Sequence, residues 1–228
     1  MIGVCAGAKV VAEAGLLDGK RATTHWYYVH EMIKKHAKIR YVADRRFVVD
    51  EGVATTTGIT ASMPMMLTLI EAIAGRARAE SVALELGSAV WDSRHVSSAF
   101  KLTRPFVLTV MSNAFTFWQR EIRTIELSSG IDEVSLAVVA DAWSRTYRSR
   151  AVTIAPTASA FRSRNGARII PDRVASNSRS GRDIELIPDR PFVSVLHDSL
   201  TEIERRYGMR TAEVVRMQLE YPGQSPLE

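Results

Sequence analysis

Cysteine is almost absent. Cys5 is the only one in 228 residues, so no internal disulfide can form, which fits a reducing cytoplasm. No apolar run reaches the roughly 18 residues that a membrane-spanning helix needs, and the first residues lack a basic segment leading into an apolar stretch with a cleavage site. A cytoplasmic protein with no membrane partner is the expectation. Phosphate-binding glycine loops of the dinucleotide or P-loop type are missing, and none of the five histidines pairs with a cysteine at zinc-site spacing. No cofactor and no metal are expected.

Aromatic residues are scarce, at 7%, and they do not interleave with the arginines. The net charge of +5 invites a nucleic-acid partner, because basic chains gain affinity by releasing counterions from phosphates. The distribution argues otherwise. Arg145, Arg148 and Arg150, and the arginines between positions 162 and 182, are mixed with serines rather than with stacking rings. They read as solvated surface, and no helix-turn-helix follows the first half of the chain.

What is present is a 46% hydrophobic composition, enough for one large core or two small ones, and an unusual setting for Cys5. In GVCAGAKVVAEAGLLDGK a short apolar stretch meets small residues and then a helical pattern. That is the order of a nucleophile elbow, in which a strand turns sharply into a helix and lifts one side chain above a sheet. The positive end of the helix favours a thiolate. Backbone N–H groups of Ala6 and Gly7 are then the candidate oxyanion donors. Only four residues precede Cys5, too few for the flanking βαβ units, so a chain truncated at its front is expected.

From Cys5 to His25 the run resembles the ThiJ/PfpI (DJ-one/PfpI) superfamily of class I glutamine-amidotransferase-like proteins. The likeness rests on Ala6 and Gly7 after the thiol, the helix AKVVAEAGLLDGK, and Ala22-Thr23-Thr24-His25-Trp26 ending about twenty positions on. RRFVVDEGVATTTGITASMPMMLTLIEAIAG resembles the hairpin, loop and closing helix that end such a domain. The resemblance covers residues 2–100. It implies an α/β, flavodoxin-like (Rossmann-like) sandwich, incomplete at the N-terminus, with Cys5 as nucleophile and His25 as acid, base or orienting group. Several family members place His directly after the cysteine and isonitrile hydratases place Thr. Ala6 stands here, which argues against a PfpI-type peptidase and a standard isonitrile hydratase.

Along the chain, residues 23–26 are predicted as a strand and YYVHEMIKKHA as a surface helix. Residues 39–42 and 46–49 read as short strands, with Asp50-Glu51-Gly52 as a hairpin turn. Ser62 is the expected cap of a helix ended by Gly75. A second helix runs to Gly87, and residues 91–100, with His95, read as an exposed polar connection.

The second half holds a βαβ pattern: a strand over 120–127, a helix over IDEVSLAVVADAWSRTY and a strand over SRAVTIAP. It resembles the opening part of the same family, as if the chain were cut from a tandem of two such domains. The expected organisation is residues 1–100 with the elbow, a linker over 101–117, and a second partial α/β unit over 118–228 ending in two helices. A flexible polar linker is expected at ASNSRSGRD. The family's opening helix carries a Glu facing the thiol; Ser135 falls at that position, with Asp132 and Glu133 beside it. Their plain reading is a helix N-terminal acidic pair. Docked against the elbow in permuted order, Glu133 or Asp132 would be the missing carboxylate.

Three functional readings follow: a cysteine-dependent hydrolase, hydratase or glyoxalase-like lyase on a small molecule; a non-catalytic sensor or regulator-type ligand domain; and an inactive gene fragment. The implied partners are a small-molecule substrate or ligand and a second copy of the chain in a homodimer.

Overall fold

The computed structural model describes residues 1–88, 90–175, 184–186 and 190–221. It is mixed α/β and divides into two compact units, residues 1–103 with 216–228, and residues 104–215.

In the first unit β1 (Ile2–Gly3) leads into α1 (Gly7–Glu13), followed by β2 (Arg21–Ala22), α2 (Val29–Lys35), β3 (Arg40–Tyr41), β4 (Phe47–Asp50), β5 (Val53–Thr56), α3 (Ser62–Ala74) and α4 (Arg76–Leu86). The main sheet has the order β1-β5-β4, with β1 parallel to β5 and β4 antiparallel to it. The β4–β5 hairpin closes on two residues, Glu51 and Gly52, both at positive φ, as a tight turn of matching twist demands. A second pair, β2 with β3, is parallel. Val11, Ala12, Leu17, Ala22, Met32, Ile39 and Val53 form the core between helices and strands. α3 ends at Gly75 and α4 at Gly87, both at positive φ.

Three local expectations change. The strand predicted over 23–26 does not form there: β2 ends at Ala22, the Thr23 N–H donates to the Thr55 hydroxyl at 2.9 Å instead of joining a ladder, and Trp26–Tyr28 curl into a single 3₁₀ turn. Ser62 does not cap α3. A 3₁₀ turn over Ile59–Ala61 precedes it, so Ser62 is already helical and its hydroxyl donates to the Ile59 carbonyl. Residues 91–97 are tethered rather than loose: Arg46 N–H donates to Ser93 O, Asp44 and Ser97 exchange two hydrogen bonds, and Trp91 donates to Glu71.

The second unit opens with α5 (Arg104–Phe115), a helix within the span expected to be a linker. Then come β6 (Glu121–Glu126), α6 (Glu133–Ser144) and β7 (Ser149–Ala155), the βαβ unit read from the pattern, with β6 and β7 in parallel register from Glu121↔Ser149 to Glu126↔Ile154. β8 (Phe161–Arg162) pairs with β9 (Arg168–Ile169), and β10 (Arg173–Val174) extends the sheet in the order β10-β7-β6. α7 (Phe192–Tyr207) packs on α6, and α8 (Met209–Leu219) carries the chain back into the first unit. Trp143, Leu196, Leu200 and Ile203 are fully buried. The predicted ASNSRSGRD linker, beyond Ala175, lies outside the described residues.

Candidate active site

Two residues of strand and a one-turn reversal build the elbow. The Gly7 N–H donates to the Val4 carbonyl at 2.7 Å, and the residue inside that turn, Cys5, sits at φ 54°. This is a conformation that costs a non-glycine residue of order 1–3 kcal/mol and persists only where the surroundings enforce it. The enforcement is visible. Cys5 N–H donates to the Thr56 hydroxyl on β5 (3.1 Å), and the Thr24 hydroxyl donates to the Cys5 carbonyl (3.2 Å). Gly3 lets α1 fold back onto β1, since a Cβ there would stand 2.9 Å from the Ala8 Cα. The Cys5 side chain belongs to a partly exposed residue at the head of α1.

Of the two expected oxyanion donors, Gly7 has its amide committed to the Val4 carbonyl. His25 is buried, and its segment lies against the elbow through Thr24. Its Nδ1 accepts from the Tyr27 N–H (3.2 Å) and its Nε2 faces the Gln218 carbonyl (3.1 Å), which fits the neutral tautomer with the proton on Nε2. Both ring nitrogens thus have backbone partners, an arrangement that orients the ring.

Asp132 and Glu133 belong to the second unit. Asp132 caps α6: its carboxylate accepts from the Val134 N–H (3.0 Å) and the Ser135 hydroxyl (2.6 Å). Glu133 accepts weakly from the Asn165 N–H at 3.5 Å, on an exposed surface. The contacts of Asp132 are those of a helix N-cap, and Glu133 reaches the 163–165 turn.

A carboxylate that pattern reading missed lies in the first unit. Glu220, just past α8, is 2% exposed, sits at φ 48°, and accepts from the backbone N–H groups of Trp26 (2.6 Å) and Gly58. Gly58 must be glycine, because a Cβ would stand 2.5 Å from the Leu219 carbonyl. His95 Nε2 lies 3.9 Å from the Glu220 carboxylate. Burial pushes the His95 imidazole below its usual range, and the negative charge of Glu220 opposes that only in part. Both residues line a cavity of about 190 Å³. No signal in the sequence marks Glu220, whose partners lie 162 and 194 positions away. The second unit has its own cavity of about 260 Å³, where Arg123 stacks over the Trp143 ring at 4.7 Å. Among the described residues no group of three or more metal-ligating side chains stands together, and no helix is long and apolar enough to cross a membrane.

Comparison with known proteins matches the same half. Over 83 residues the chain is 45% identical to an isonitrile hydratase of Pseudomonas putida, covering 36% of this chain and 35% of that protein. It is 41% identical over 68 residues to the HTH-type transcriptional regulator CdhR of Pseudomonas aeruginosa, covering 30% of this chain and 20% of the regulator. A third relative, the HTH-type regulator GbdR of the same species, is 38% identical over 73 residues, covering 32% of this chain and 20% of its own length. The chain therefore spans about a third of the hydratase and a fifth of each regulator. The family model for the DJ-1/PfpI family matches residues 1–72, the segment that carries the elbow.

Proposed function

We propose that the first unit is a cysteine-dependent hydrolase or hydratase site for a small molecule. The observation that carries this reading is the strained φ of Cys5 at the β1–α1 turn, held by Thr56, Thr24 and Gly3. Strain of this kind clusters at working side chains. In this reading the Cys5 thiolate adds to an electrophilic carbon, the Ala6 N–H faces the developing negative charge, and His25 orients the site. Water then displaces sulfur and restores the thiol. Residues 1–100 would hold the chemistry, with residues 118–228 a second α/β unit that brings no thiol. The likeness to an isonitrile hydratase supports hydration of a carbon–nitrogen multiple bond as the first reaction to assay.

A second reading, a non-catalytic sensor thiol, draws on a separate observation. Both His25 nitrogens have backbone partners, which suits an orienting role, and two of the relatives are transcriptional regulators. One preparation separates the two. Turnover of an isonitrile, lost in Cys5→Ala, supports the enzyme. Peroxide oxidation of Cys5 to sulfenic acid without turnover supports the sensor. A thiol inert to both iodoacetamide and peroxide would sink both.

A further inference from the structure

The first unit's cavity of about 190 Å³ has Trp26, Tyr41, Thr57, His95, Phe100 and Glu220 among its walls, and Cys5 is not one of them. Its unfilled hydrogen-bonding capacity centres on Glu220, Thr57 and His95. The Trp26 indole N–H goes to the Met217 carbonyl (2.8 Å), and the Trp26 and Gly58 backbone N–H groups go to Glu220. A carboxylate offers about four lone-pair positions, and two N–H groups take only two of those on Glu220. The Thr57 hydroxyl oxygen is buried with no hydrogen-bond partner among the described residues, although Thr57 is 4% exposed. An unsatisfied buried polar atom costs about 1–3 kcal/mol and calls for an explanation. Burial pushes the His95 imidazole below its usual range, and a neutral ring carries one acceptor nitrogen and one N–H. His95 stacks on Phe100, with centroids 5.1 Å apart, making a flat apolar wall beside these acceptors.

We propose that this pocket binds a small primary ammonium compound, with its N–H donors meeting Glu220, Thr57 and His95 and its apolar remainder lying against Phe100 and Trp26. The negative charge of Glu220 has no Lys or Arg within ion-pair distance among the described residues, and a compact cation would neutralise it. A quaternary ammonium lacks the N–H groups to satisfy Thr57, and a carboxylate would meet Glu220 with like charge. A cavity of roughly 150 Å³ holds benzene, so about 190 Å³ suits benzylammonium as a probe. The proposal is independent of the Cys5 reaction.

Titration calorimetry on the full chain at pH 7.5 tests it with benzylammonium, benzyltrimethylammonium, benzyl alcohol and benzoate. Benzylammonium should bind at millimolar concentration or better, at least tenfold more tightly than the other three. Thr57→Val keeps the shape and removes only the unpaired hydroxyl, and it should weaken binding about tenfold while the unfolding midpoint of the ligand-free protein holds or rises. Glu220→Gln should weaken it further. Benzyl alcohol or benzyltrimethylammonium binding as tightly as the primary amine, binding unaltered by Thr57→Val, or no heat at millimolar benzylammonium would each overturn the proposal.

Discussion

Two of the strand-to-helix connections in this molecule, β1 to α1 in the first unit and β6 to α6 in the second, resolve the same geometric problem in opposite ways. Between β6 and α6 the chain takes a six-residue loop, puts Gly130 at the positive-φ position, and ends on Asp132, whose side chain caps the helix. Between β1 and α1 it reverses within three residues, puts a cysteine at the positive-φ position, and gives α1 no side-chain cap. A turn that needs only to connect uses glycine and a capping carboxylate. The Cys5 turn keeps strain and an uncapped helix end, and in return presents a thiol. The comparison teaches that Asp132 serves its own helix, while the first unit's elbow is stabilised from outside by Thr24, Thr56 and Gly3.

The sharpest contrast comes from removing each unit's support. Trp143→Ala should cost about 3–5 kcal/mol by emptying the second unit's core, read as a lowered urea midpoint. Gly3→Ala should cost about 1–3 kcal/mol, because the new Cβ drives α1 off β1, and it should also slow iodoacetamide alkylation of Cys5; an unchanged alkylation rate would show that the elbow is not set by this contact. Asp132→Ala should lose about 1 kcal/mol of stability without altering Cys5 reactivity, whereas an effect on the thiol would restore Asp132 as a site residue. Cys5→Gly should do the reverse of a normal cysteine deletion and raise stability by about 0.5–1 kcal/mol, since glycine adopts φ near 54° without strain.

The smallest effect is a pH dependence. Because burial lowers the folded-state pKa of His95, the unfolded chain binds its proton first. The contribution of keeping His95 neutral is therefore present above the ordinary histidine pKa near ~6.5 and is lost as pH falls below it. The groups facing it are Glu220, Arg46 and Asp44, and Glu220 reduces the effect. His95→Phe should flatten the fall in unfolding midpoint between pH 7 and 5; an identical profile in the variant would remove His95 as its source.

Much of the local architecture was legible because it is written in short-range terms. The Glu51-Gly52 turn, the stops at Gly75 and Gly87, and the alternation and helical periodicity from position 120 to 155 each depend on neighbours a few residues apart. Cys5 at an elbow was legible for the same reason, from small residues flanking one thiol. Less legible were the places where a distant group displaces a local one. Thr55 takes the Thr23 amide where β2 ends, a 3₁₀ turn deprives Ser62 of its capping role, and Ser93 and Ser97 fasten a polar stretch that composition alone presents as solvent-facing.

The sequence by itself carried the likeness of the first segment to the DJ-1/PfpI family through matching residues, and the elbow and βαβ order through local propensity and spacing. Only the tertiary structure decided that Cys5 is held at positive φ by Thr24 and Thr56, and that Glu220 returns to sit buried beside His95. Burial and hydrogen-bond partnership between groups 19 to 194 residues apart depend on how the chain closes on itself, and no short window of sequence contains both partners.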